Sequence, residues 1–152
     1  MSMIVNPTHL SWSAGIFDGE GTIRMYKITD RLNGHERILA DLRITNTNSE
    51  IISESVRILR LIVKDEKPVR IYPSMTPKNK KDCFHIQISK RRAVSDILTA
   101  VIPYLIGKRA QAEVILEYVN RRLFIQPRKG GIMQPLISDD WNSLARCRSL
   151  MN

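Results

Sequence analysis

The stretch Trp12-Ser13-Ala14-Gly15-Ile16-Phe17-Asp18-Gly19-Glu20-Gly21 reads as a helix ending in two acids separated by one glycine. Ser11, Gly15 and Gly19 recur every four residues, so they share one helical face. That face carries almost no side chain and lets another helix approach to backbone contact. Small residues at this spacing do so in membranes, and the steric reason holds in water. Glu20 falls where the helix stops. A carboxylate is electrostatically misplaced there, because the last carbonyls already carry partial negative charge. A cation would correct this, with a divalent metal as the first choice. The competing reading is turn chemistry alone: Gly21 as a left-handed cap, with Asp18-Gly19 as ordinary turn residues.

The flanking sequence gives the motif a setting. Asn6-Pro7 predicts a helix start, a side-chain cap followed by proline at the first helical position. From Thr22 the pattern changes to strand, and Asn33-Gly34 marks a hairpin. In the second strand Ile38, Ala40, Leu42 and Ile44 alternate with Arg37, Asp41, Arg43 and Thr45, which predicts one apolar face. Thr47 and Glu50 suggest a capping box ahead of apolar positions at helical spacing. Pro68 to Tyr72 and Cys83 to Ser89 read as two more strands. Arg91 to Ile102 and Lys108 to Phe124 read as helices, punctuated by Pro103 and Gly107. Residues 126–131 form a basic linker, and Ser138-Asp139-Asp140 caps a last helix through about Leu150. The order is helix, hairpin, helix, hairpin, helix, helix: an α+β layout with four antiparallel strands and helices on one face. We divide the chain into a core domain, 1–126, and a basic linker with a C-terminal helix, 127–152.

The charge balance narrows the partners. Among 152 residues, 24 Lys+Arg against 15 Asp+Glu give a net charge of +9. This favours a polyanion, nucleic acid first and an acidic membrane surface second. No apolar run has the length of a membrane span. Neither a signal peptide nor a transit peptide is evident at the N-terminus, and Cys83 and Cys147 form no disulfide framework. The expectation is a reducing compartment: cytoplasm or nucleoid, or an organellar matrix.

The string Ala14-Gly15-Ile16-Phe17-Asp18-Gly19-Glu20-Gly21 resembles the core of the LAGLIDADG motif of homing endonucleases and their maturase relatives, with Glu in place of the commoner final Asp. The resemblance covers roughly residues 7 to 125, and the element order matches the family's αββαββα fold, whose saddle-shaped sheet lies in the DNA major groove. No second small-residue helix ending in two acids occurs. Tyr104-Leu105-Ile106-Gly107-Lys108 is the nearest candidate and lacks both acids. Family members with one motif work as homodimers, so the resemblance implies a homodimer joined through Ser11, Gly15 and Gly19. It implies Mg²⁺, or another divalent cation such as Mn²⁺, on Glu20 with the Gly19 carbonyl beside it. Asp18 is read as capping or orienting the turn. Alignment with single-motif members places Asn46 where a polar residue orders active-site water, and Lys108 where a lysine faces the scissile phosphate. A basic residue that some members carry early in the second helix has no counterpart here; Glu50 falls near that point.

Strand parity assigns a DNA-reading face: Arg24, Tyr26, Arg37, Asp41, Arg43, Arg70, Tyr72, His85 and Gln87, with Thr45 beside them. Arginine to guanine and glutamine to adenine are the expected major-groove pairings. Lys80, in the basic tip with Lys78 and Lys81, and Arg128-Lys129 are expected on phosphates. The leading expectation is a metal-dependent endonuclease cutting both strands of a long, roughly palindromic DNA site. The alternatives are an intron-RNA-binding maturase without nuclease activity and a dimeric DNA-binding regulator with vestigial acids.

Overall fold

A computed structural model describes residues 5–74, 82–125 and 134–151. Helix α1 spans Pro7–Glu20 and is followed at once by strands β1, Gly21–Thr29, and β2, Glu36–Asn46. Next come α2 (Ser49–Ile62), β3 (Ile71–Ser74), β4 (Cys83–Ile88), α3 (Arg91–Val101), a 3-10 turn at Ile102–Tyr104, α4 (Arg109–Phe124) and α5 (Ser138–Met151). The strands form one antiparallel sheet in the order β1-β2-β4-β3. The α+β layout and the helix–hairpin alternation are those expected from the sequence.

The local reasons are visible in the chain. The Asn6 side chain accepts the Thr8 amide at 2.8 Å, and Pro7 opens α1. The β1–β2 connection runs through six residues, with Gly34 at φ 70°. Asp30 and Asn33 each fold a side chain onto an amide two residues on. This is Asx-turn chemistry in place of a two-residue hairpin turn.

Several boundaries shift by a residue or more from the sequence expectation, and two of the shifts have a visible local cause. The cap of α2 is Asn48, not Thr47: its side chain accepts the Glu50 and Ile51 amides at 2.9 and 3.3 Å. The third strand begins at Ile71 because the segment before it is a turn. There the Val69 amide bonds to the Glu66 carbonyl, and the Val69 carbonyl accepts from Arg60 Nε.

One sheet face carries the core. Ile23, Met25, Ile38, Ala40, Leu42, Ile44, Ile86 and Ile88 are all buried against the helices. Phe17 of α1, Val94 and Leu98 of α3, and Ile115 and Val119 of α4 meet them. Removing such a side chain from water is worth roughly 1.5–3 kcal/mol. Polar bonds fix α4 on the sheet: Tyr118 Oη donates to the Ile38 carbonyl at 2.7 Å, and Gln111 Nε2 to that of Ile23 at 2.7 Å. Helix α5 adds Leu144 and Cys147 to the same core. Among the described residues, no helix is long and apolar enough to cross a membrane.

Candidate active site and nucleic-acid interface

Helix α1 buries Ser13, Ala14 and Phe17 and leaves Ser11, Gly15 and Gly19 exposed. A Cβ added at Gly15 or Gly19 would meet nothing within 4 Å. The small-residue face is therefore open. Gly21 is different. Its backbone is extended, with φ −90° and ψ 165°, so the left-handed cap does not form. A Cβ there would lie 2.7 Å from Phe17 Cα. Glycine serves here for space, letting β1 leave directly from the last turn of α1.

The polar groups at this helix end sort into two sets. The Asp18 carboxylate accepts the Ile106 amide at 2.8 Å and the Lys108 amide at 2.9 Å. It thereby caps the turn that starts α4. The Lys108 ammonium turns back onto α1, donating to the carbonyls of Phe17, Asp18 and Gly21 at 2.6, 3.2 and 2.5 Å. Burial holds its pKa below the ordinary lysine value, partly offset by Asp18. So the cation that answers the negative end of the helix dipole is Lys108. The ammonium expected to face a phosphate is here bonded to three carbonyls of the α1–β1 junction.

Glu20 stands apart from that set. Its carboxylate is exposed, and its partner is the Asn46 side chain, whose Nδ2 donates to Glu20 Oε2. The sheet register brings the two together. Gly21 pairs with Ile44, so the end of β2 overhangs the end of α1. Asn46 Oδ1 accepts the Asn48 amide at 2.7 Å, which fixes the carboxamide with its nitrogen toward Glu20. The Gly19 carbonyl is not among those that Lys108 takes. Glu20 and that carbonyl are hard oxygen donors of the type Mg²⁺ prefers. Among the described residues, no three His, Cys, Asp or Glu side chains converge within one chain.

The sheet's second face is polar and internally connected. Arg24 pairs across the ladder with Asp41, and Arg43 with Gln87. Arg24 Nε and Nη2 donate to Asp41 Oδ1 and Oδ2 at 2.8 and 3.1 Å. This bond raises the arginine's pKa above its ordinary value. Asp41 is 0% exposed. A buried carboxylate cannot touch a base, so its expected DNA contact is replaced by a supporting role. Arg24 also stacks over Tyr26, at 4.6 Å to the ring centroid. Toward the other edge, Tyr72 and His85 stack at 5.5 Å, and Arg70 lies over Tyr72. Burial, with Arg43 nearby, lowers the His85 pKa and favours its neutral ring. Arg37 is exposed near the hairpin end of β2. Lys78, Lys80, Lys81, Arg128 and Lys129 lie outside the described residues.

No protein-family model and no curated protein matches this sequence. Solved structures do. The homing endonuclease I-CvuI, crystallised with the I-CreI target and Mg with the DNA not cleaved, is 16% identical. The match covers 95% of this chain and 96% of that one, with a TM-score of 0.57. The archaeal intron-encoded homing endonuclease I-Vdi141I, complexed with DNA, is 14% identical over 95% and 97%, with a TM-score of 0.57. This is the LAGLIDADG fold. A third LAGLIDADG structure, I-GzeII with its DNA target, is 12% identical, with a TM-score of 0.59. The present chain matches 44% of it, so a LAGLIDADG unit of this size can be a whole chain or about half of one.

Sequence reasoning missed two features of the site, the Lys108 bonds to α1 and the burial of Asp41; it read Asp18 as capping or orienting the turn, but did not name the Ile106 and Lys108 amides that the carboxylate accepts. The Pro103 and Gly107 punctuation marked the 102–108 turn, but nothing in it named the partner. For Asp41, an acid amid arginines on one strand face was the available signal.

Proposed function

We propose that this chain is a site-specific DNA endonuclease of the LAGLIDADG type that cuts both strands as a homodimer with a divalent cation. The observation that carries the reading is Glu20. It is an exposed carboxylate, held by Asn46, at the end of a helix whose small-residue face is uncovered. Two α1 helices packed through Ser11, Gly15 and Gly19 would bring two Glu20 carboxylates together, one for each strand. Like charges that close repel, and bound cations remove the penalty. The Glu20 carboxylate and the Gly19 carbonyl would hold Mg²⁺ or Mn²⁺. When bound, such an ion stabilises charge on the phosphate oxygens and acidifies a water.

The chain's own residues supply position. Asn46 fixes the Glu20 carboxylate. Lys108 and Asp18 hold the end of α1 against the start of α4, so the carboxylate has a fixed base. The polar sheet face and the +9 charge suit duplex DNA, the partner recorded in the solved relatives' structures. Phosphate contacts from a basic surface supply most of the affinity and fall off with salt.

The test is cleavage of supercoiled plasmids carrying a library of duplex sites, with Mg²⁺ and with EDTA. Linear product that needs the cation and carries paired strand breaks supports the proposal. Tight duplex binding with no cleavage in Mg²⁺ or Mn²⁺ contradicts it.

A further inference from the structure

The polar side chains on the sheet do not stand as separate readers. Arg24 on β1, Asp41 and Arg43 on β2, and Gln87 on β4 form one connected path. Arg24 holds Asp41 with two bonds. Gln87 Nε2 donates to Asp41 Oδ2 at 3.0 Å. Arg43 Nη2 donates to Gln87 Oε1 at 3.0 Å. Gln87 sits between an acid and a guanidinium, so only one amide orientation satisfies both: nitrogen to Asp41, oxygen to Arg43.

That arrangement divides the labour. Glutamine reads adenine by offering a donor and an acceptor together. Both polar atoms of Gln87 are bonded to neighbours, and although each keeps one further hydrogen or lone pair, those two bonds set the direction of the amide. Arginine has five N–H donors. Asp41 takes bonds from Nε and Nη2 of Arg24, which leaves Nη1 and a second Nη2 hydrogen for an end-on bidentate contact. Arg24 is more than one-third exposed while Asp41 is closed off. Arg43 keeps a weaker hold: its Nε is buried without a hydrogen-bond partner, and among the described residues its guanidinium is anchored by the Nη2 bond to Gln87. Arg24 is therefore a fixed reader and Arg43 an adjustable one.

We infer that Arg24 and Arg43 read two guanines as one coupled unit, in which Asp41 and Gln87 contact no base and act as positioning residues. This rests on the proposed DNA-binding function. It predicts that altering Gln87, away from any base, changes the preference at positions read by arginines on two other strands.

The experiment selects bound duplexes from a randomised pool and profiles wild type, Arg24→Ala, Arg43→Ala and Gln87→Leu. Melting temperatures are recorded for each. Gln87→Leu should melt close to wild type, since the residue is only partly buried and Asp41 keeps both bonds from Arg24. It should lose about tenfold discrimination at the guanines that the two arginine variants relax, on the scale of one good base contact. The double variant Arg43→Ala/Gln87→Leu should be no worse at the Arg43 position than Arg43→Ala alone. Restoring an amide, Gln87→Asn, should recover less than half of the loss, because the shorter side chain cannot span both partners.

Relaxation at a separate base position by Gln87→Leu would overturn the inference and make Gln87 a direct reader. An unchanged profile at both guanines would overturn it as well. Enrichment of no sequence by wild type would instead remove the DNA-reading function on which the inference rests.

Discussion

Helix α4 is tied by charge at both ends, and the two ties differ. At its C-terminal end, Asp140 of α5 is 0% exposed and accepts from Arg121 Nε at 3.0 Å and Arg122 Nη1 at 3.3 Å. Arg122 is itself 3% exposed and also donates to the carbonyls of Gln134 and Pro135. At the N-terminal end, Asp18 and Lys108 join α1 to α4, but each bonds to backbone and not chiefly to the other. The first tie is a closed ion cluster that holds a helix down. The second uses up one acid and one cation so that the neighbouring acid, Glu20, is left facing outward. An Asp-Gly-Glu string thus yields one structural carboxylate and one left exposed.

The largest effect that would sharpen this contrast is Asp140→Ala. Removing one partner of a buried pair leaves an uncompensated charge, which typically costs 3–5 kcal/mol. Urea denaturation should show a loss of about that size, with the folded fraction still cutting DNA. A loss below about 1 kcal/mol would mean that the cluster is solvated and the two ends alike.

Lys108→Met comes next. It removes a charged donor from three carbonyls, and hydrogen bonds to charged groups are worth about 1.5–3 kcal/mol. The same urea titration should show that loss, accompanied by reduced cleavage as the base under Glu20 loosens. Full stability with lost cleavage would reverse the assignment and make Lys108 a phosphate-facing group.

The glycines separate support from surface within one motif. Gly21→Ala forces a Cβ into the Phe17 backbone and should cost about 1–3 kcal/mol, as overpacking does. Gly15→Ala meets open space in the single chain, where alanine favours a helix by about 1 kcal/mol. It should therefore stabilise the monomer while weakening self-association in sedimentation. If Gly15→Ala leaves the association constant unchanged, the open face is not where the copies meet.

Smallest in stability is Glu20→Gln. The side chain is exposed, so the change in stability should stay within the range of ordinary surface substitutions, about 0.5 kcal/mol.

Much of this was legible in the sequence, for reasons that the same residues explain. Alternation from Ile38 to Ile44 gave the core face of β2, because side chains on a strand have period two. Asn6-Pro7 gave the start of α1, because a local cap needs only neighbours. The open glycine face followed from a spacing of four. Long-range partners were not legible. Nothing local to Lys108 points to carbonyls some 90 residues earlier, and the sheet register that lays Asn46 over Glu20 is set by the whole β1–β2 ladder. Parity placed Asp41 on the polar face but could not show that Arg24 and Gln87 close over it. The α2 cap was missed by one residue, since Thr47 and Asn48 are both good caps and only geometry selects between them.

The separation of Glu20 from its supports is tested most directly by comparing wild type with Glu20→Gln on one selected duplex. Binding is measured in Ca²⁺ and cleavage in Mg²⁺, with melting curves alongside. The expected result is unchanged melting, affinity within about tenfold because phosphate contacts dominate it, and no detectable cleavage. Mg²⁺-dependent cutting by Glu20→Gln at the wild-type rate would contradict it.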